Sequence, residues 1–66
     1  MGRYHLNFFG YAGTLEATST LNSISDDNAY QVATTMLSNT AYSFVEIFDN
    51  RNLLYLLGRA GERMSA

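Results

Sequence analysis

The chain has 66 residues, no cysteine, one histidine and a formal net charge of -2. A chain of this length forms one domain, and it buries only about 60% of the surface that its unfolded state exposes. The lack of cysteine excludes disulfides and thiolate metal sites, and a single histidine is too few for an imidazole zinc site. We therefore expect no cofactor and no metal, and self-association remains as the support for so small a domain.

The first third of the chain predicts a β-hairpin. Arg3–Phe9 alternates between two faces, and Thr14–Leu21 alternates again. Gly10–Gly13 between them carries two glycines, which is typical of a hairpin loop.

A helix is predicted to follow. Ser25 can cap the first turn, where Asp26 and Asp27 also suit the positive end of the helix dipole. The apolar residues then recur at helical spacing: Ala29, Val32, Ala33, Met36 and Leu37. The sequence Ser38-Asn39-Thr40 ends the helix without a glycine or a nearby cation, so tertiary packing must hold it.

The last third predicts a second hairpin. Tyr42–Phe48 and Leu53–Leu57 read as strands, joined by a turn over Asp49–Asn52. Which leucines of the last strand face the helix depends on a register that the pattern leaves open. Leu53–Leu57 is also far too short to span a membrane. Residues 58–66 are polar with two glycines, and we expect a frayed tail there.

This order of elements predicts an α+β fold, a single domain over residues 1–66 with a four-stranded antiparallel sheet and one helix on one face. Because strand neighbours point to opposite faces, the sheet residues divide into two sets. The covered face is predicted to hold Tyr4, Leu6, Phe8, Leu15, Ala17, Val45 and Ile47, against Val32, Ala33 and Met36 of the helix. The open face is predicted to hold His5, Asn7, Phe9, Glu16, Thr18, Tyr42, Phe44, Glu46 and Phe48.

The opening MGRYHLNFF and the last hairpin, VEIFDNRNLLYLL, resemble segments of a group of short bacterial proteins, although Asn52 stands where those turns favour glycine. The element order is similar to that of small strand-strand-helix-strand-strand proteins of bacteria and phages. Several phage anti-CRISPR proteins are likewise single small domains that bind host defence complexes without catalysis. The resemblance implies a fold and a class of partner, and it carries over no functional residue.

The open face is the candidate site, because an exposed group of aromatic side chains usually marks a binding surface. The predicted interaction surface comprises Phe9, Tyr42, Phe44, Glu46, Phe48 and Arg51. We expect a cytoplasmic, non-enzymatic protein-binding module that is homodimeric, with an inhibitor of a CRISPR-Cas defence complex as the specific hypothesis. For a phage-encoded protein, the location would be the host cytoplasm.

Residues of the same face suggest two other functions. His5 and Glu16 could pair for acid–base chemistry, but a flat sheet supplies neither a nucleophile nor a pocket, so we expect no catalytic residue. The aromatic side chains could instead stack single-stranded bases. Glu16 and Glu46 on the same face, with no surrounding positive charge, make nucleic-acid binding the alternative.

Overall fold

A computed structural model describes residues 2–59 and 63–64 of the chain. The elements are β1 (Gly2–Phe9), β2 (Leu15–Ser23), α1 (Asp26–Ser38), β3 (Phe44–Asp49), β4 (Asn52–Gly58) and the short β5 (Arg63–Met64). One sheet contains these strands in the order β2-β1-β3-β4-β5, and each neighbouring pair is antiparallel. The predicted α+β fold, four main strands and one helix in the order ββαββ, is confirmed.

The core lies between α1 and one face of the sheet. Ala29, Ala33 and Leu37 recur every four residues along the helix and are almost completely buried. The strands contribute Tyr4, Leu6, Phe8, Val45, Ile47 and Leu57. Burying an aliphatic side chain of this size stabilises the fold by about 1.5–3 kcal/mol. Three of the five predicted apolar helix residues therefore face the core, and the other two, Val32 and Met36, are half-buried beside them.

The start of the helix is tied to both strands of the first hairpin. Ser25 caps the helix, since its hydroxyl accepts a hydrogen bond from the amide of Asn28 at 3.1 Å. The buried Ser23 hydroxyl donates to Oδ1 of Asn28 at 2.6 Å. On β1, the Tyr4 hydroxyl donates to Oδ1 of Asp26 at 2.6 Å. That hydrogen bond, together with burial and nearby carboxylates, raises the pKa of Tyr4 to about 12.

The end of the helix is held by a side chain from far along the sequence. Nη1 of Arg59 donates to the carbonyl oxygens of Leu37 at 3.1 Å, of Tyr42 at 2.9 Å and of Thr40. The missing cation at the negative end of the helix dipole is thus supplied by tertiary structure.

The prediction of a frayed tail over residues 58–66 is wrong for its beginning. Gly58 is buried at the end of β4, and Arg59 makes the hydrogen bonds just described. The backbone of Arg63–Met64 pairs with β4. The remaining tail positions, 60–62 and 65–66, lie outside the described residues.

A bulge in the first hairpin changes one face assignment. Phe8 pairs with Ala17 but Phe9 pairs with Leu15, so Glu16 is the extra residue on β2. The predicted place of Leu15 on the covered face is therefore wrong: it pairs with an open-face residue, and 51% of its surface is exposed. Strict alternation fails here because an added residue reverses the faces of the residues beyond it.

Tyr42 is also assigned to the wrong face by the sequence. It precedes β3, which begins at Phe44, and its ring lies 5.2 Å from that of the buried Phe8. Tyr42 therefore packs against the core on the helix side. The alternation of a strand did not apply to it because it is not part of the strand.

Candidate interaction surface

The open face is the side of the sheet that points away from α1. From the pairing register, its residues are Arg3, His5, Asn7, Phe9, Leu15, Thr18, Thr20, Asn22, Phe44, Glu46, Phe48, Leu53 and Leu56. Six of these are large and apolar, and we call them the apolar patch: Phe9, Leu15, Phe44, Phe48, Leu53 and Leu56.

One edge of the apolar patch is a row across three strands. Leu15, Phe9 and Phe44 are successive cross-strand partners on β2, β1 and β3. The Phe9 and Phe44 rings are stacked, with centroids 4.8 Å apart and planes inclined by 11°. Such a pair contributes about 0.5–1.5 kcal/mol beyond its buried area. The row is therefore a rigid, preformed surface.

The other part of the apolar patch lies along β3 and β4. Phe48 is the partner of Leu53, and Leu56 is the partner of Glu46. A second bulge, at Leu54, sets this register, so Tyr55 and Leu57 point to the helix while Leu53 and Leu56 do not. This register decides which leucines of the last strand face the helix, a question that the sequence left open.

A hydrogen-bonded polar pair lies in the middle of the open face. Asn7 and Glu46 are cross-strand partners, and Nδ2 of Asn7 donates to Oε1 of Glu46 at 3.2 Å. Phe44 and Phe48 are the neighbours of Glu46 on the same face of β3. The carboxylate thus lies between two aromatic side chains and is half-buried.

The predicted surface residues are only partly brought together. Phe9, Phe44, Glu46 and Phe48 share the open face as predicted. Tyr42 does not, and Arg51 is exposed in the turn between β3 and β4.

Sequence reasoning missed three members of the apolar patch: Leu15, Leu53 and Leu56. Two bulges decide the places of Leu15 and Leu53, and no residue type in either segment marks a bulge. Leu56 follows from the register that the pattern left open. The turns of the two hairpins do show a sequence signal, because Gly13 has φ of 82° and Asn50 has φ of 58°, and glycine and asparagine tolerate that conformation.

The candidate acid–base pair is not assembled. His5 pairs with Thr20, which is four residues along β2 from Glu16 and therefore about 13 Å away. The carboxyl group of Glu16 instead folds over Gly10. The described residues that line the groove beside His5, of about 410 Å³, are Arg3, Tyr4, His5, Thr20 and Asn50, and none is a carboxylate.

Within residues 2–59 and 63–64, no group of three or more histidine, cysteine, aspartate or glutamate side chains could hold a metal ion. No helix in that part of the chain is long and apolar enough to cross a membrane. Compared with protein-family models, curated proteins and solved structures, the chain gives no match. The geometry of the open face is therefore the basis for a functional proposal.

Proposed function

We propose that this chain is a non-enzymatic protein-binding module that binds its partner through the open face. The observation that carries the proposal is the apolar patch, which lies on the side of the sheet away from the only described helix. Leu15 and Leu53 are exposed, and the three phenylalanines of the apolar patch are half-buried. Large aromatic side chains are common anchors of protein interfaces. Phe9 and Phe44 are already stacked, so little side-chain entropy is lost when they are covered.

The open face lacks the basic stripe that a nucleic acid requires, since Arg3 is the only cation among the open-face residues named above. Glu46 lies at its centre, and a phosphate chain crossing the stacked rings of Phe9 and Phe44 would approach that carboxylate. A protein partner can instead hydrogen-bond to Asn7 and Glu46, since a typical protein interface contains about ten direct hydrogen bonds. Single-stranded nucleic acid remains the second candidate because stacked aromatic rings on a sheet accept bases.

The specific partner that we propose is a protein of a bacterial CRISPR-Cas defence complex, bound in the cytoplasm. This part rests on the similarity in size and element order to small phage inhibitors. Binding without catalysis fits the separation of His5 from Glu16.

A phage-challenge experiment tests the specific partner. Cells with an active defence complex directed against a phage would express the chain, Phe44→Asp, or the control Gln31→Asp on the exposed side of the helix. We expect the parent and the control to restore plaque formation and Phe44→Asp to lose it. Unrestored plaque formation with the parent would reject the defence complex as the partner.

The open face itself is tested by the folding of the variants. Phe44→Asp and Phe48→Asp should retain the far-ultraviolet circular dichroism of the parent, because both side chains point away from the core. Loss of all secondary structure at every concentration would place them in the folding core and contradict the proposal.

The nucleic-acid alternative is tested by titrating a fluorescent single-stranded oligonucleotide at low and high salt. Affinity that falls steeply with salt and is lost in Phe44→Asp would favour that alternative.

A further inference from the structure

The strand β2 leaves one edge of the sheet open. It is nine residues long, and among the described strands it pairs only with β1. The opposite side of the sheet differs, because part of β4 is covered by β5. The backbone amides and carbonyls along the outer side of β2 are therefore available to another strand.

Edge strands of monomeric proteins usually carry features that block such pairing. Charged side chains, prolines and bulges in the middle of the edge are the common ones. Residues 17–23 of β2, ATSTLNS, contain no charge, no proline and no glycine, and the bulge lies outside them at Glu16. Ala17 and Leu21 on the helix side are only half-buried, so the core is incompletely covered along this edge.

The two ends of β2 carry exposed aliphatic side chains. Leu15 is 51% exposed at the start of the strand and Ile24 is 77% exposed just after its end. Leu15 lies on the open face, and Ile24 follows the buried Ser23 in the bend that leads from β2 to α1. The two residues are about 30 Å apart along one chain.

We propose that β2 is a self-pairing edge, at which a second copy of this chain adds its own β2 in antiparallel direction. A two-fold axis through the pair of Thr20 residues, at the middle of the strand, sets open-face residues opposite one another. Because the bulge gives Leu15 and Glu16 one place in the ladder, this register brings Leu15 of each copy beside Ile24 of the other. The dimer contains two such contacts, one at each end of the paired strands, so Leu15 and Ile24 of both copies are covered. The uncharged 17–23 segment places no like charges opposite each other.

This pairing has a defined geometry. A two-fold axis perpendicular to the sheet keeps both helices on one side, and the main strands of the two copies form one continuous eight-stranded sheet. On the helix side, Leu21 of each copy lies opposite Ser19 of the other and diagonal to its half-buried Ala17. The two open faces join on the other side, so the interaction surface is present twice and remains free for a partner.

The first experiment measures mass by sedimentation equilibrium at micromolar concentrations. We expect the parent to show twice the 7.4 kDa mass of one chain. Thr20→Lys places two like charges at the axis and should raise the dimer dissociation constant at least tenfold. Gln31→Lys is the matched control, with the same charge on an exposed helix position, and should remain dimeric.

A compensation experiment tests the direction of pairing. Leu15→Glu and Ile24→Lys should each weaken the dimer, and the double variant should regain most of the affinity because the introduced carboxylate meets the introduced amine of the other copy. The distance within one chain excludes a rescue inside the monomer.

Disulfide crosslinking through single introduced cysteines locates the two-fold axis. Because the chain has no natural cysteine, only the introduced residue can form the crosslink. Variants Thr18→Cys, Ser19→Cys, Thr20→Cys and Leu21→Cys should form a disulfide-linked dimer most readily at the residue on the axis, where paired Cα atoms are about 4.5–5.5 Å apart.

Three results would overturn the inference. They are a monomeric parent, a failed rescue, or a dimer that survives Thr20→Lys but dissociates in Phe44→Asp. The last result would mean that copies associate through the open face, and it would leave the proposed open-face binding intact.

Discussion

Arg59→Ala is the most informative single change for stability, because Arg59 joins three parts of the fold. Its guanidinium extends from the end of β4 to the last turn of α1 and to the segment that leads into β3. The substitution removes these hydrogen bonds without creating a cavity in the core, since Arg59 is exposed. The effect therefore reports on these hydrogen bonds and not on the packing of the core.

The expected loss of stability depends on which hydrogen-bond donors each carbonyl oxygen keeps after the substitution. The Leu37 carbonyl still accepts from the hydroxyl of Thr40 at 3.1 Å and from its amide at 3.3 Å. The carbonyls of Thr40 and Tyr42 lose a charged donor, a bond that contributes about 1.5–3 kcal/mol when buried. These two hydrogen bonds to Arg59 are exposed, so water can replace the lost donor and recover part of that free energy. Loss of the cation at the helix end adds about 0.3–1 kcal/mol.

We therefore expect Arg59→Ala to lower the free energy of unfolding by about 1–2 kcal/mol, or the melting temperature by about 5–15 °C. Urea unfolding followed by circular dichroism measures this loss. All variants are compared at one protein concentration, because the proposed dimer would make stability depend on concentration. Arg51→Ala is the control, since it removes the same side chain from an exposed turn. Equal losses in the two variants would refute the role assigned to Arg59.

Two further predictions concern the buried core and the hydroxyl group of Tyr4. Val45→Asp and Ile47→Asp should each abolish the cooperative thermal transition, because both positions are fully buried in the hydrophobic core cluster; a parent-like melt would mean that β3 is assigned to the wrong face. For Tyr4, the raised pKa means that its contribution to stability is complete below pH 10, the unfolded value, and is lost as the pH rises toward about 12. Urea unfolding of Tyr4→Phe should therefore show a smaller decline in stability over this interval than the parent shows, and an equal decline would contradict the assignment.

Local sequence patterns were sufficient to predict the elements and most of the two sheet faces. The alternation in Arg3–Phe9 placed Tyr4, Leu6 and Phe8 in the core, and the spacing of Ala29, Ala33 and Leu37 gave the buried side of the helix. These features depend on contacts between neighbours in sequence, for which the period of a strand or helix is a sufficient guide. The order of the elements then restricted the fold to one sheet and one helix.

Only the tertiary structure decided the features that depend on pairing between distant segments. The bulge at Glu16 turned Leu15 to the open face, and the bulge at Leu54 set the register of the last strand. Arg59 reaches the helix end across 22 residues of sequence, which no local pattern indicates. The free edge at β2 likewise follows from the strand order, since a strand becomes an edge only through the partners it lacks. Periodicity within each element thus determined most of what this chain buries, while pairing between distant strands determined which residues lie on its open face and at its free edge.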